Sequence, residues 1–261
     1  MGYQKPTDVS KSYIINADLP TNNGKKYTIV THADVINETT QKLKDSGFDI
    51  SKEVYRANKN ANVAQGVYYL KSKYDCNSTG MMFGWTNSYD KTVRFQCAIG
   101  AYVMVCSNLM VSGEVSYGRK HIGEANADII NQINYQIDNA ATIFRAINRD
   151  REHMMDTKLS FQEQCAVAGL LYIEEEIINN QQLNVIKQEM KKPSFDYGCD
   201  HDTVWSFYNH VTHALKSAHP RTWMRDSKNL HNYITTKYLG AKKSYVLETS
   251  QFPDEYYDEI E

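Results

Sequence analysis

The sequence predicts an α+β protein: an antiparallel, sheet-rich N-terminal half with one early helix, followed by a helical C-terminal half. Three observations lead there. Between Ile50 and Ile99, short aromatic and β-branched segments alternate with turn residues, as in a meander. After residue 123, apolar residues recur at helical spacing. Between the halves, neither an internal repeat nor a long low-complexity linker interrupts the chain.

Residues 1–26 are polar and turn-rich, with Pro6, Pro20 and the run Thr21-Asn22-Asn23-Gly24, and read as an extended arm with little to add to a core. Residues 27–249 read as a single α+β domain, strand-rich over 27–122 and helical over 123–249, and residues 250–261 as an acidic tail. Tyr27 to Val30 forms a short strand; Thr31 then opens a helix to about Ser46, stopped by Gly47. Strands follow at Glu53–Ala57, Gly66–Lys73, Met81–Thr86 and Thr92–Ile99, with Asn87-Ser88-Tyr89-Asp90-Lys91 as a hairpin loop whose short polar side chains satisfy local backbone groups. Gly100 to Met110 is apolar throughout, hence buried, and its periodicity fits helix and strand alike. Val115 to Ile122 is a further strand. Helices then span Glu124–Arg149, Ser160–Asn179 with a capping-box Glu163, Gln182–Lys191, Thr203–Ser217 and Asp226–Leu239. Glu174-Glu175-Glu176 reads as a solvated acidic face of the second of these helices.

The 261 residues can bury a substantial core, and 41% apolar with 23% charged residues is a globular composition. No run approaches the roughly 18 apolar residues of a membrane span, and the N-terminus lacks the basic and apolar segments of a secretory signal, so cytoplasmic residence without membrane partners is expected. Five cysteines without a C-x-x-C pair fit reduced thiols; Cys97, Cys106 and Cys165 lie in apolar stretches and read as buried small hydrophobes. Residues 1–122 carry fifteen Lys and Arg against ten Asp and Glu, and the remainder fourteen against twenty-one, so an anionic partner would meet the first half.

The residues from Met82 to His121 carry a family resemblance. Asn87-Ser88-Tyr89-Asp90-Lys91 is similar to an Asn-Ser-His-Asp-Gly element, and Tyr102-Val103-Met104-Val105-Cys106-Ser107-Asn108 to an Arg-Val-Val-Cys-x-Asn element, of a phage and plasmid family known as domain of unknown function 932 (DUF932). Arg119-Lys120-His121-Ile122-Gly123 resembles the turn that follows, and Trp205-Ser206-Phe207-Tyr208-Asn209-His210-Val211-Thr212 a Trp-x-Leu-Tyr-Asn-Ala-Leu-Thr helix. The resemblance runs in order from about Tyr27 to Tyr233. It departs at Tyr89 and Lys91, where the family has His and Gly, and at Tyr102, where it has Arg. The resemblance implies a mobile-element setting and supplies no activity.

Basic and aromatic residues interleave on the expected strands: Tyr55, Arg56, Tyr69, Lys71, Lys73, Trp85, Arg94, Arg119 and Lys120. Single-stranded nucleic acid is held by this combination, because aromatic faces stack on any base while cations neutralise phosphates. Together with the resemblance, this predicts a DNA-metabolism protein that binds single-stranded DNA, anneals it, and assembles as a homo-oligomer. The acidic, aromatic tail after Ser250 resembles partner-recruiting tips in composition. The rival expectation is a phage-encoded inhibitor that binds a host defence or replication protein through the acidic helical half or tail. Phosphate-loop, dinucleotide, nucleophile-elbow and zinc-protease motifs are missing, so no catalytic residue and no cofactor is expected. Cys199, His201, His210 and His213 form the one set with metal-ligand spacing, but in no standard zinc pattern, and surface histidines on a helix are the plainer reading.

Overall fold

The computed structural model describes residues 7–20, 29–75, 78–111, 115–117 and 125–240. It is an α+β fold. Strands β1 (Thr7–Val9), β2 (Asp49–Ala57), β3 (Val63–Lys71), β4 (Thr79–Ser88), β5 (Gln96–Val103) and β6 (Leu109–Val111) lie side by side in chain order, every pair antiparallel. A short β7 (Ser116–Tyr117) also pairs with β5, through Gln96 and Cys97, whereas β6 pairs through Gly100 to Tyr102. Between those two stretches the Ile99 N–H is left over, and the buried Gln136 amide oxygen accepts it at 2.9 Å.

Among the described residues helices account for the rest: α1 (Lys11–Ile15) and α2 (His32–Asp45) before the meander, then α3 (Ala125–Asp138), α4 (Ala140–Asp156), α5 (Phe161–Ile173), α6 (Asn180–Lys191), α7 (Val204–Leu215) and α8 (Trp223–Tyr238). Local chemistry sets several of these ends. Thr31 and Asp34 form a reciprocal capping box on α2, Ser160 and Glu163 another on α5, and Asn179 and Gln182 a third on α6, each satisfying N–H groups that a first turn leaves open.

The sheet divides the interior in two. One face buries Tyr55, Tyr68, Phe83, Trp85, Cys97 and Ile99 in one core cluster with residues of α1 to α8, among them Ile14, Leu43, Ile133, Phe144 and Leu230. The other face buries Val67, Met82 and Ala98 under Ala218, Trp223 and Met224, where the chain enters α8. Trp223 lies so close to β4 that a Cβ on Gly84 would stand 2.6 Å from its ring, and its indole N–H donates to Thr86 Oγ1 at 2.7 Å. That second cover is partial and leaves the β2 side of this face open as a groove.

Several elements depart from the sequence reading. The arm is partly structured: Thr7–Val9 adds a strand, and α1 seals the core with Ile14, which is fully buried. Ile29 and Val30 form no strand; the other half of that expected strand, and Gly118 to Ile122 of the last one, lie outside the described residues. The apolar stretch from Gly100 resolves into the end of β5, a turn and β6. The single helix expected over Glu124–Arg149 breaks at Asn139, whose side chain donates back to the Tyr135 carbonyl at 2.8 Å. Helix α5 stops at Ile173, so the three glutamates lie in the turn after it and not on a helix face, with Glu176 at φ +50°. Cys97 and Cys106 are buried as expected; Cys165 is exposed, on the outward side of α5 with Gln162 and Ala166.

Lys91 holds φ +62° in the β4–β5 turn, a conformation that costs an L residue with a Cβ and that the glycine of the resembled element adopts freely. Lys91→Gly is therefore expected to raise stability by about 0.5–1 kcal/mol, measured as an increased urea midpoint at unchanged slope.

Candidate nucleic-acid interface

The open part of the second face is built by three cross-strand pairs. Antiparallel register sets Lys52 opposite Tyr69, Val54 opposite Val67, and Arg56 opposite Gln65. Alternation along a strand sends all six side chains to one face, so β2 and β3 lay a floor of cation and aromatic, then two valines, then cation and amide. Lys52 Nζ stands 5.4 Å from the centre of the Tyr69 ring, and that ring meets Tyr102 edge-on at 4.8 Å. Leu215 and Lys216 at the end of α7, Trp223 and Ser227 of α8, and Ser107 and Leu109 form the walls of a cavity of about 190 Å³.

Among the described residues three cations border it against one carboxylate. Arg56 donates to Asp8 Oδ1 at 2.8 Å, its partner across β1, and through Nη1 to the Lys216 carbonyl at 2.9 Å. Lys216 Nζ in turn donates to the Cys106 carbonyl and lies 5.7 Å from the Phe195 ring centre. Burial lowers the pKa of Lys216, with Arg56 acting in the same direction and Cys106 and the Glu189 carboxylate against it. Gln65 is only 3% exposed, and its amide oxygen has no donor.

The expected nucleic-acid residues divide between this groove and other places. Arg56 and Tyr69 are in it; Lys52 and Lys216 join them without having been singled out from the sequence. Lys71 continues two residues beyond Tyr69, exposed, and with Lys73, Ser46 and Tyr74 borders a second cavity of about 460 Å³. Lys73 and Arg145 lie 5.3 and 5.8 Å from the Tyr74 ring centre. Arg94 is half-buried in the β4–β5 turn and does not line the groove. Arg119 and Lys120 lie outside the described residues.

Trp85 and Tyr55 need correcting as stacking contacts. Trp85 is fully buried beside His32 and Tyr55, and a Cβ on Gly66 would meet its indole at 2.4 Å. Tyr55 is buried on the same face and donates to Glu53 at 2.6 Å. Both point to the helix-covered side, because residues at even and odd positions of one strand go to opposite faces and only the other set borders the groove.

The candidate metal set does not assemble. Among the described residues no group of three or more His, Cys, Asp or Glu is arranged to hold a metal ion. His201 is exposed, and Cys199 Sγ accepts from Thr203 Oγ1 at 3.4 Å. His210 and His213 are not surface residues of the ordinary kind: both face the buried Glu189 carboxylate, at 4.0 and 3.9 Å, which Ser194 caps through its N–H and hydroxyl. Burial pushes His210 down to about 4, with His201 and His213 acting in the same direction and Glu189 against it. A base whose folded-state pKa is depressed contributes stability that is complete above its ordinary value near 6.5 and is lost as pH falls from there towards 4. The thermal midpoint is accordingly expected to drop between pH 7 and pH 5, and His210→Gln to flatten that drop when the two profiles are compared by calorimetry.

Four residues within the stretches of family resemblance make structural contacts. Asn87 donates to the Val30 carbonyl at 2.9 Å, and the Tyr89 hydroxyl accepts from His32 N–H at 2.7 Å, so the hairpin clamps the start of α2. Asn108 donates to both the backbone and side-chain oxygens of Asn209, at 3.0 and 3.1 Å, and this bond ties α7 to the turn before β6. All four are buried. Their effect on the groove is indirect: with α7 anchored, its last turn brings Leu215 and Lys216 against β2.

The fold is an antiparallel meander wrapped by helices on one face, with a small cation-bordered groove on the other. The family model described as domain of unknown function (DUF932) matches residues 22–236, and the chain belongs to that family. No curated protein and no solved structure matches it.

Proposed function

We propose that the protein binds single-stranded nucleic acid along β3, with Tyr69 as the base platform and Lys52, Arg56, Lys216 and Lys71 as phosphate contacts, in the DNA metabolism of a mobile element. The observation that carries this reading is the Lys52–Tyr69 pair beside Arg56 in an open groove: an aromatic ring bordered by cations on the uncovered face of a sheet. From Gln65 to Lys71 the strand extends for about 20 Å at roughly 3.3 Å per residue, enough for a short run of nucleotides. No chemical step is part of the proposal.

Fluorescence anisotropy of a labelled single-stranded oligonucleotide tests it. Three to four phosphate contacts predict a log–log salt slope of about −2 to −3 for a single strand. Absence of binding at low salt would overturn the reading. One observation favours the protein-directed alternative: α5 exposes Phe161 at 52% and Ile173 at 76%, with Tyr172 beside them. If the oligonucleotide does not bind, a pull-down from host lysate that fails with Ile173→Ser would support an inhibitor acting through that helix.

A further inference from the structure

Resting on that reading, we propose that the inner end of the groove is a pocket for one unstacked base, whose hydrogen-bonding edge meets the Gln65 amide. The cavity of about 190 Å³ is smaller than the roughly 300–1,000 Å³ of a site for a drug-sized ligand. It suits a flat heteroaromatic fragment, not a whole nucleotide. Its lining is apolar on several sides, from Val54, Val67, Leu109, Leu215 and Trp223, and a base plane would displace water from these surfaces. Lys52 and Arg56 stand where the sugar–phosphate would remain outside.

Gln65 lines this end of the cavity, and no hydrogen bond of the fold reaches its amide oxygen. Its carbonyl oxygen is buried without a donor, on a residue set in register between Arg56 of β2 and Thr86 of β4. Buried amides are ordinarily satisfied, and an unpaired one is costly to keep. Every nucleobase carries a ring or exocyclic N–H next to an acceptor on its Watson–Crick edge, which matches the adjacent acceptor and donor of a carboxamide. The pocket therefore senses that a base is present, while the cations sense phosphate.

Two oligonucleotides of equal length, one with ordinary bases and one abasic throughout, separate these contributions in anisotropy titrations with the wild-type protein and Gln65→Met. Methionine keeps the volume and deletes only an amide whose oxygen is unpaired, so the variant is expected to fold with an undiminished thermal midpoint. The wild type should bind the ordinary strand about 10-fold more tightly than the abasic one, and Gln65→Met should reduce that ratio to about 2-fold or less. An equal preference in both proteins would overturn the pocket and leave stacking on Tyr69 as the base contact. Equal affinity of the wild type for both strands would overturn it and leave a phosphate-only track. If neither strand binds, the nucleic-acid reading falls as well, and the pocket with it.

Discussion

Replacing Lys52 with glutamate and Arg56 with glutamine in one protein should weaken binding to a single-stranded oligonucleotide by about 100-fold at low salt, taking roughly 1.5 kcal/mol for each charged hydrogen bond lost. The same double variant should flatten the salt slope by about 1.4, two contacts at roughly 0.7 each for a single strand. Titrations at several salt concentrations give both numbers from one data set. Glutamine is chosen at position 56 because a glutamate there would face Asp8 across β1 and strain the strand pairing. An unchanged slope would show that nucleic acid, if it binds, does so elsewhere.

Trp85→Ala should behave in the opposite manner, with a large loss of stability and no change in salt slope. Its side chain is fully buried on the central strand, packed over Gly66 and near His32 and Tyr55. Truncating such a side chain costs about 3–5 kcal/mol, which for a chain of this size lowers the thermal midpoint by roughly 10 °C. Calorimetry measures the first effect, and anisotropy at a temperature where the variant is folded measures the second. A Trp85→Ala protein of normal stability that failed to bind would return this residue to the surface role its sequence context suggests.

These two variants separate what strand alternation alone leaves ambiguous. Tyr55 and Arg56, or Trp85 and Thr86, are adjacent in sequence and equally at home in a strand, yet they belong to opposite faces. Which face the helices cover depends on where α2, α3 and α4 dock. That is decided by contacts between residues far apart in the chain, such as Ile99 with Gln136 and Lys42 with Asp138. A basic, aromatic meander could therefore be read from residues 50–99, but not which of its aromatics would be offered to a ligand.

The same reasoning explains why the sequence does not point to Lys52 and Lys216. Lys52 had no aromatic neighbour in sequence; its partner Tyr69 is supplied by the register of β2 on β3, with the irregularity between Ile50 and Lys52 setting the phase. Lys216 belongs to a helix more than 150 residues away in the chain and reaches β2 because Asn209 holds α7 on Asn108. The motif Asn108 was legible as a family element, whereas its function as an anchor was not.

By itself, the sequence determined the class of the fold, the succession of a strand-rich half and a helical half, and the ends of helices whose caps are local. Thr31 with Asp34 and Ser160 with Glu163 work through side chains three residues apart, so no distant contact is needed to place them. It also determined the family, through motifs that hold the hairpin and α7 in place. Tertiary structure alone decided the break at Asn139, which lets α3 pack beside α2 while α4 packs against α7, and the burial of Ile14 from an arm that reads as extended. It likewise decided the groove. Hydrophobic periodicity records that a side chain is covered but not by what, and a binding surface is whatever the docked helices leave uncovered.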